Sequence, residues 1–212
     1  MIDSEPAARD WVAALAGIEP HQLAQIDEFL TMLAAENEHQ NLVAASSLGS
    51  AWQRHVADSA QLLRFVPRET GAWLDLGTGA GFPGLVVAIL RPDWQVTLVE
   101  SRQRRFEWLF RACDMLGLAN TTVFGDRVER APDAEFDVIS ARAFAPLDKL
   151  LRLSARFSTD QTTWLLPKGR SAQQELQMLS GWSHAFHVEQ SLTDGEAGLI
   201  VGHLLGKKGR RA

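Results

Sequence analysis

Residues 73–84 read Trp73-Leu74-Asp75-Leu76-Gly77-Thr78-Gly79-Ala80-Gly81-Phe82-Pro83-Gly84, and the apolar run Leu85-Val86-Val87-Ala88-Ile89-Leu90 follows directly. An apolar start, a cluster of glycines and a second apolar run fit a buried strand, a tight turn and a helix, the opening half of a βαβ unit. Glycine is required where a backbone turns sharply or where a ligand approaches with no Cβ in the way. A turn of this kind at the carboxyl end of a strand is where open α/β sheets bind nucleotide-like ligands.

Upstream of this stretch the pattern is helical. Segments 6–16, 21–37 and 48–66 carry apolar residues at helical spacing, with Leu23, Ile26, Leu30 and Leu33 forming the clearest stripe. Pro67 and Gly71 break the pattern before the first strand. Downstream, strands and helices alternate. Strands are predicted at 73–76, 96–100, 121–124, 136–140 and 163–166, and helices at 83–90, 102–116, after Pro146 and near 172–179. Two last strand candidates, 185–190 and 199–205, have no long helix between them and suggest an antiparallel hairpin. The alternation predicts an α/β fold: a mainly parallel, twisted sheet with helices on both faces, a terminal antiparallel hairpin and an N-terminal helical lobe. Residues 1–70 form the expected lobe, 71–206 the sheet domain and 207–212 a basic tail, all in one structural unit.

Two ligand classes use such a glycine turn. Gly79-Ala80-Gly81-Phe82-Pro83-Gly84 matches the G-x-G-x-x-G form found in dinucleotide sites. In that design a helix N-terminus faces a pyrophosphate with free amides, yet Pro83 removes one donor where the helix begins. Asp75 also stands two residues before the first glycine. A carboxylate there repels a pyrophosphate and suits a cationic ligand such as S-adenosylmethionine; alternatively it caps the amides of the turn. D-x-G-x-G-x-G resembles the pattern of Rossmann-type methyltransferases. Glu100 ends the next strand, 19 residues after Gly81. An acid at that spacing can accept from both ribose hydroxyls, or can serve only as a strand-end acid before the next helix.

Composition narrows the class further. The chain has 212 residues, 46% of them hydrophobic, enough for one substantial core. Cys113 is the only cysteine, which excludes an intramolecular disulfide and a cysteine-built zinc site. It shares a helical face with Phe106, Leu109, Phe110 and Leu116 and reads as a core filler. The six histidines show no metal-ligand spacing, so no metal is expected. The net charge of −5 is uneven: residues 1–75 hold four arginines against eleven acids, a net of −7, and residues 76–212 hold seventeen basic residues against fifteen acids, a net of +2. Basic clusters fall at Arg102, Arg104 and Arg105 and at Lys207, Lys208, Arg210 and Arg211. They fit local nucleic-acid contact, or a solvated helix face and a frayed tail. The acidic amino terminus has no signal-peptide pattern, and the apolar run of the turn is too short to span a membrane. A cytoplasmic enzyme, with no membrane partner, is expected.

With these motifs in hand the chain resembles the small-subunit ribosomal RNA methyltransferase G family, also called glucose-inhibited division protein B, from about Asn41 to Lys168. Several ordered motifs carry the resemblance: Asn41-Leu42 with His55-Val56-Ala57-Asp58-Ser59, the turn from Asp75 to Gly84, Glu100-Ser101 with Arg104-Arg105, Arg127-Val128-Glu129, Ser140-Ala141-Arg142-Ala143-Phe144-Ala145, and Lys168-Gly169. Two places depart from it. Pro167 precedes Lys168-Gly169 where the family has an apolar residue, and Gly195-Glu196-Ala197-Gly198 lacks the basic residue at the start of the last strand.

The resemblance implies a bacterial S-adenosylmethionine-dependent enzyme, a 16S rRNA (guanine-N7)-methyltransferase with a Rossmann-like class I fold. Its implied target is guanine 527 in the RNA's own numbering, in 16S rRNA, in the 30S subunit or in an assembly intermediate, and a monomer is expected. Cofactor contacts are expected at Asp75, Gly77, Gly79, Gly81, Phe82, Glu100, Val128, Glu129 and Arg142. Arg142 and Arg127 are the catalytic candidates. Arg142 can bind a carboxylate or phosphate bidentately, stack on a base, or form a surface salt bridge; Arg127 can pair with Asp126 or Glu129 instead. Arg102, Arg104, Arg105, Lys149 and Lys168 can neutralise RNA phosphates. Phe144 can stack on a base or pack as a core aromatic. His55 and Asp58 read first as a hydrogen-bonded structural pair or lid element and second as catalytic. Competing functions are a methyltransferase for another RNA or a small molecule, a cofactor-sensing or ribosome-binding module without catalysis, and an NAD-dependent oxidoreductase. Asp75, Pro83 and the lack of an evident hydride-transfer acid–base pair oppose the last.

Overall fold

Strand β1, Ala72–Leu76, lies inside an eight-stranded sheet and is buried from Trp73 to Leu76. β2 (Gln95–Val99) pairs parallel on one side and β4 (Val138–Ala141) parallel on the other. β3 (Thr121–Phe124) lies parallel outside β2, and β5 (Thr163–Gly169) parallel outside β4. β8 (Gly198–Lys207) then runs antiparallel to β5, and the short strands β6 (Trp182–His184) and β7 (His187–Gln190) pair antiparallel to β8. This computed structural model describes residues 1–66 and 70–208. Pro67, Arg210 and Arg211, named in the sequence reading, lie outside the described residues.

Side chains alternate across the strands with period two, and the two faces bury two cores. Trp73, Val96, Leu98, Val138, Leu165 and Val201 point to one; Leu74, Leu76, Ile139, Trp164, Leu166 and Ile200 point to the other. The first face is covered by α1 (Glu5–Ala13), α2 (Pro20–Asn37), α4 (Gly84–Leu90) and α5 (Gln103–Met115), the second by α6 (Leu147–Ser154) and α7 (Ala172–Met178). Each large apolar side chain so buried contributes about 2 kcal/mol. The order β3-β2-β1-β4-β5 reverses direction between β1 and β4, and ligands of open α/β sheets bind at such a reversal.

The N-terminal helices share the first core. Ile26, Phe29 and Leu33 of α2 are fully buried, and the Phe29 ring lies 5.3 Å from that of Phe82 and 6.4 Å from that of Trp108. Gln22 fastens α2 to α4 by donating to Ile89 O at 2.8 Å.

Two elements differ from the sequence reading. The single helix expected over 48–66 is instead a 3-10 helix Ala45–Ser50, a π-helical turn Trp52–Ala57, the short α3 (Asp58–Ala60) and a second 3-10 helix Gln61–Phe65. Glu5 of α1 accepts from Trp52 N at 3.0 Å and Gln53 N at 2.8 Å where the π-helical turn begins, and Ser59 Oγ donates back to His55 O at 2.6 Å. Apolar spacing cannot report such contacts. Of the strand expected at 185–190 only β7, His187–Gln190, forms, and a separate short strand, β6, precedes it. The register shifts at Ser183/His184, and the chain bends around Phe186, which is buried.

Gly84 sets how closely α4 approaches the sheet. A Cβ there would lie 2.2 Å from Leu98 Cδ2 and 2.9 Å from Asp75 Oδ2. Gly84→Ala is expected to lower the unfolding free energy by about 1–3 kcal/mol through overpacking. Gly49→Ala, where an added Cβ meets nothing within 4 Å, serves as the control. Urea midpoints of the two variants measure the difference, and equal midpoints would contradict this account.

Candidate active site

The turn after β1 is built on Asp75. Its carboxylate has no solvent exposure. Oδ2 accepts from Gly84 N at 3.0 Å and Oδ1 from Ser140 Oγ at 2.7 Å, while Trp73 Nε1 donates to the same Ser140 Oγ at 2.8 Å. Burial pushes the Asp75 carboxyl above its ordinary value, against the hydrogen bonds from Ser140 and Gly84. The expectation that Asp75 stands beside a ligand's charged end is therefore corrected. It sits behind the turn and binds β1, β4 and the start of α4 together. Gly79 and Gly81 also stay behind the surface: Gly79 N donates to Glu100 Oε2 at 3.1 Å, and Gly81 N to Thr78 O at 2.9 Å.

In front of the turn lies a cavity of about 400 Å³ at the strand ends, lined by Gly77, Glu100, Val128, Glu129 and Phe144 among others. Glu100 Oε1 accepts from Arg102 N at 2.9 Å, so each carboxylate oxygen has one backbone donor and keeps a second acceptor site. Val128 and Glu129 open a 3-10 turn, Val128–Arg130. Their amides are the orphan donors of that turn, whereas Val128 O already accepts from Arg156 Nη2 at 2.9 Å. Gly77 has φ +66°, and a Cβ there would lie 2.4 Å from Phe144 Cδ2. The group that uses this missing Cβ is the Phe144 ring.

Phe144, with Ala143 and Ala145, also borders a second cavity of about 1060 Å³. Arg142, Asp58, Arg54 and the loop at Thr193–Asp194 form other parts of its wall. The Arg142 guanidinium lies over the Phe82 ring, 5.1 Å from Cζ to the centroid, and the His55 ring stacks on Phe82 at 5.0 Å. Phe82, 2% exposed, lines neither cavity. It is the apolar support for Arg142 and His55 rather than a face offered to a ligand.

Arg142 Nη1 is 3.5 Å from Asp58 Oδ2 and 3.4 Å from His55 Nδ1. The side chains of His55 and Asp58 are thus joined through Arg142, while the direct hydrogen bond between the two residues is a backbone one, Asp58 N to His55 O. Ser47 Oγ donates to Ala44 O at 2.7 Å, so it accepts from His55 Nε2 at 2.8 Å. That fixes the neutral tautomer with a lone pair on Nδ1 facing Arg142. Burial, with Arg142 and Arg54 nearby, pushes the imidazole down to about 4. Burial raises the Asp58 carboxyl, and Arg142 and Thr193 oppose that rise.

The GidB family, described as rRNA small subunit methyltransferase G, matches residues 22–193. The chain belongs to the ribosomal RNA small subunit methyltransferase G family. It is 59% identical to "Ribosomal RNA small subunit methyltransferase G" of Erythrobacter litoralis (strain HTCC2594), over 95% of this chain and 97% of that protein. It is 56% identical to the protein of the same name from Novosphingobium aromaticivorans, over 97% and 90%. Among solved structures, an O-methyltransferase from Bacillus cereus in complex with SAH aligns with a TM-score of 0.61 at 13% identity, covering 93% of this chain and 97% of that one. The O-methyltransferase TomG from Streptomyces achromogenes, in complex with SAM, aligns at 0.59 and 14% identity, covering 94% and 96%. These two likenesses establish the Rossmann-like class I fold.

On this family member the cations suggested for RNA separate into groups. Arg102, Arg105 and Lys149 line the smaller cavity with Arg127. The Arg127 side chain is exposed and forms no ion pair among the described residues, because Asp126 is paired with Arg130 at 3.1 Å. Arg104 is exposed and borders neither cavity. Lys168 is not a free cation: its side chain is 7% exposed, with Nζ 3.0 Å from Glu175 Oε2 and donating to Ala145 O at 2.6 Å. It holds the loop that carries Phe144. Arg54, Gln61, Glu175 and Thr193 were absent from the sequence reading; no motif marks them, and only folding brings them to the site.

The depressed His55 gives a pH test. Between pH 6.5 and about 4 the unfolded chain takes up a proton here that the folded chain refuses. This stability is therefore present above pH 6.5 and lost as pH falls, by roughly 2 kcal/mol between pH 7 and pH 5. His55→Asn removes the titration, so wild type is expected to lose more stability than the variant over that interval. Denaturant midpoints at the two pH values measure it; identical losses would show that His55 does not titrate low.

Proposed function

We propose that this chain transfers the methyl group of S-adenosylmethionine to N7 of a guanine in 16S rRNA, guanine 527 by the resemblance. We take it to act as a monomer in the cytoplasm, on free RNA, the 30S subunit or an assembly intermediate. Family membership supports the reaction class. The observation that carries the site is the meeting of two cavities at Phe144, one of nucleoside size beside Glu100 and one larger beside Arg142.

The residues fit this cofactor better than a dinucleotide. The start of α4 offers no array of free amides for a pyrophosphate: Gly84 N is held by Asp75, Leu85 N by Gly81 O, Val87 N by Pro83 O, and Pro83 has none. Glu100 retains acceptor capacity for ribose hydroxyls. The amides of Val128 and Glu129 suit a purine edge. Arg142, in the wall of the larger cavity, is the group for an anionic end, so the cofactor's nucleoside lies in the smaller cavity and its carboxylate reaches past Phe144 to Arg142; Asp75, Gly79, Gly81 and Phe82 support those contacts from behind.

When bound, S-adenosylmethionine supplies an activated methyl group on a cationic sulfur. Guanine N7 carries an in-plane lone pair and no proton, so this chain needs no general base. Its residues have to align two reactants and exclude water. Phe144, standing between the cavities, is placed to pack against the base, and Arg127, Arg102, Arg105 and Lys149 to hold phosphates without reading sequence.

Methyl transfer from labelled S-adenosylmethionine to 16S rRNA, offered free and in small subunits, tests the reading. Label recovered as 7-methylguanosine at one position is expected. Label in no RNA would move the substrate elsewhere. Arg142→Ala is expected to reduce turnover at least about a hundredfold, close to 2.7 kcal/mol of barrier, with the protein still folded by circular dichroism. Unchanged turnover in that variant would remove Arg142 from the reaction.

A further inference from the structure

Arg142 is held on one side only. Both of its polar protein contacts, Asp58 Oδ2 at 3.5 Å and His55 Nδ1 at 3.4 Å, fall on Nη1. A guanidinium has five N–H donors in a rigid fork. The Nε–H and the two N–H of Nη2 have no partner among the described residues, and the residue borders the larger cavity. The two holders are themselves over-determined. Asp58 Oδ1 accepts from Gln61 Nε2 at 2.8 Å and from Thr193 Oγ1 at 3.0 Å. Gln61 Oε1 in turn accepts from Leu192 N at 2.8 Å. His55 is fixed by Ser47 and by stacking on Phe82. Segment 47–61 therefore meets Arg142 at one nitrogen, and segment 191–193 braces Asp58 and Gln61 behind it.

We propose that Asp58 and His55 are positioning residues for Arg142, fixing its Nη1 so that the Nε–Nη2 edge meets the carboxylate of the bound cofactor. The proposal rests on the reading of Arg142 as a cofactor contact. The roles differ by charge. Asp58 balances the guanidinium in a half-buried setting. His55 accepts without adding charge, which it can do only while neutral. An edge presented this way matches a carboxylate with two parallel hydrogen bonds, and a guanidinium already held loses less freedom on binding.

The test is calorimetric titration of S-adenosylhomocysteine, which needs no RNA. Arg142→Ala and Asp58→Asn are each expected to weaken binding about tenfold or more. Asparagine keeps an acceptor for Gln61 and Thr193, and thermal midpoints verify that the variants are folded. In the double variant the losses should not multiply: adding Asp58→Asn to Arg142→Ala should cost less than about twofold. His55→Leu should weaken binding, and His55→Asn, whose Oδ1 replaces the Nδ1 acceptor, should recover most of that loss. A purely structural role would give neither the lost additivity nor the rescue. Multiplying losses, or His55→Asn no better than His55→Leu, would overturn the proposal. Full affinity in Asp58→Asn beside weakened Arg142→Ala would overturn it alone. Full affinity in Arg142→Ala would overturn both it and the cofactor role of Arg142.

Discussion

A carboxylate with no exposure to water holds the centre of this sheet to the first turn of its most buried helix. Asp75 accepts from Gly84 N and Ser140 Oγ, and so joins β1, α4 and β4 at one point. An ionised group in such a place is costly unless its oxygens are satisfied. The donors that satisfy it are backbone and hydroxyl groups that must be correctly placed first. Gly84 can reach it only because no Cβ stands between them. The glycine turn is therefore set from behind, and its front surface inherits that placement. Gly79 N faces Glu100, and Gly77 borders the smaller cavity under the Phe144 ring.

The loop after β4 completes the front. Ala143 has φ 51°, a left-handed conformation that costs a residue with a side chain roughly 1–2 kcal/mol. Its neighbours supply the compensation. Lys168 donates to Ala145 O, and Glu175 Oε2 accepts from both Lys168 and Leu147 N. Burial would raise the Glu175 carboxyl, yet the hydrogen bonds from Lys168, Ser171 and Leu147 hold it below its ordinary value. Fastened at its carboxyl end and continuous with β4 at the other, the loop lays Phe144 on Gly77 and sets Arg142 against Asp58 and His55. The partition between the two cavities is thus held by a lysine and a glutamate that themselves stand in the wall of the larger one.

The sheet was legible because both its faces are buried and its periodicity switches cleanly between strands and helices. The glycine turn was legible because few residue types tolerate its geometry. What the sequence misassigned is a matter of depth. Asp75 and Phe82 stand inside the turn's motif, and a motif does not say which side of the backbone a side chain takes. Lys168 carries a charge that reads as a surface cation until Glu175, seven positions on, is found against it. The broken helix over 45–65 was hidden because it is tied at Trp52 and Gln53 to Glu5, far away in sequence, a contact that apolar spacing does not report. His55 and Asp58 were visible as a pair three residues apart, but their common partner, Arg142, follows 84 residues after Asp58.

The lobe is more than a cover. Its excess of acid reads, by composition, as unsuited to an RNA partner, yet one of those acids, Asp58, pairs with Arg142 in the wall of the larger cavity. A chain beginning at β1 would keep Asp75, the turn and Glu100. It would lose Phe29 from the Phe82 ring, His55 from its stacking place, and Asp58 from Arg142. Phe82, now 2% exposed, would face water, and the arginine would lose both holders of Nη1. Such a fragment keeps the motif that marks the family while lacking the parts that aim it. The arrangement is therefore a property of lobe and sheet together: the helical segment meets the loop after β4 at Arg142 Nη1, and the loop before β8 holds Asp58 from its other oxygen.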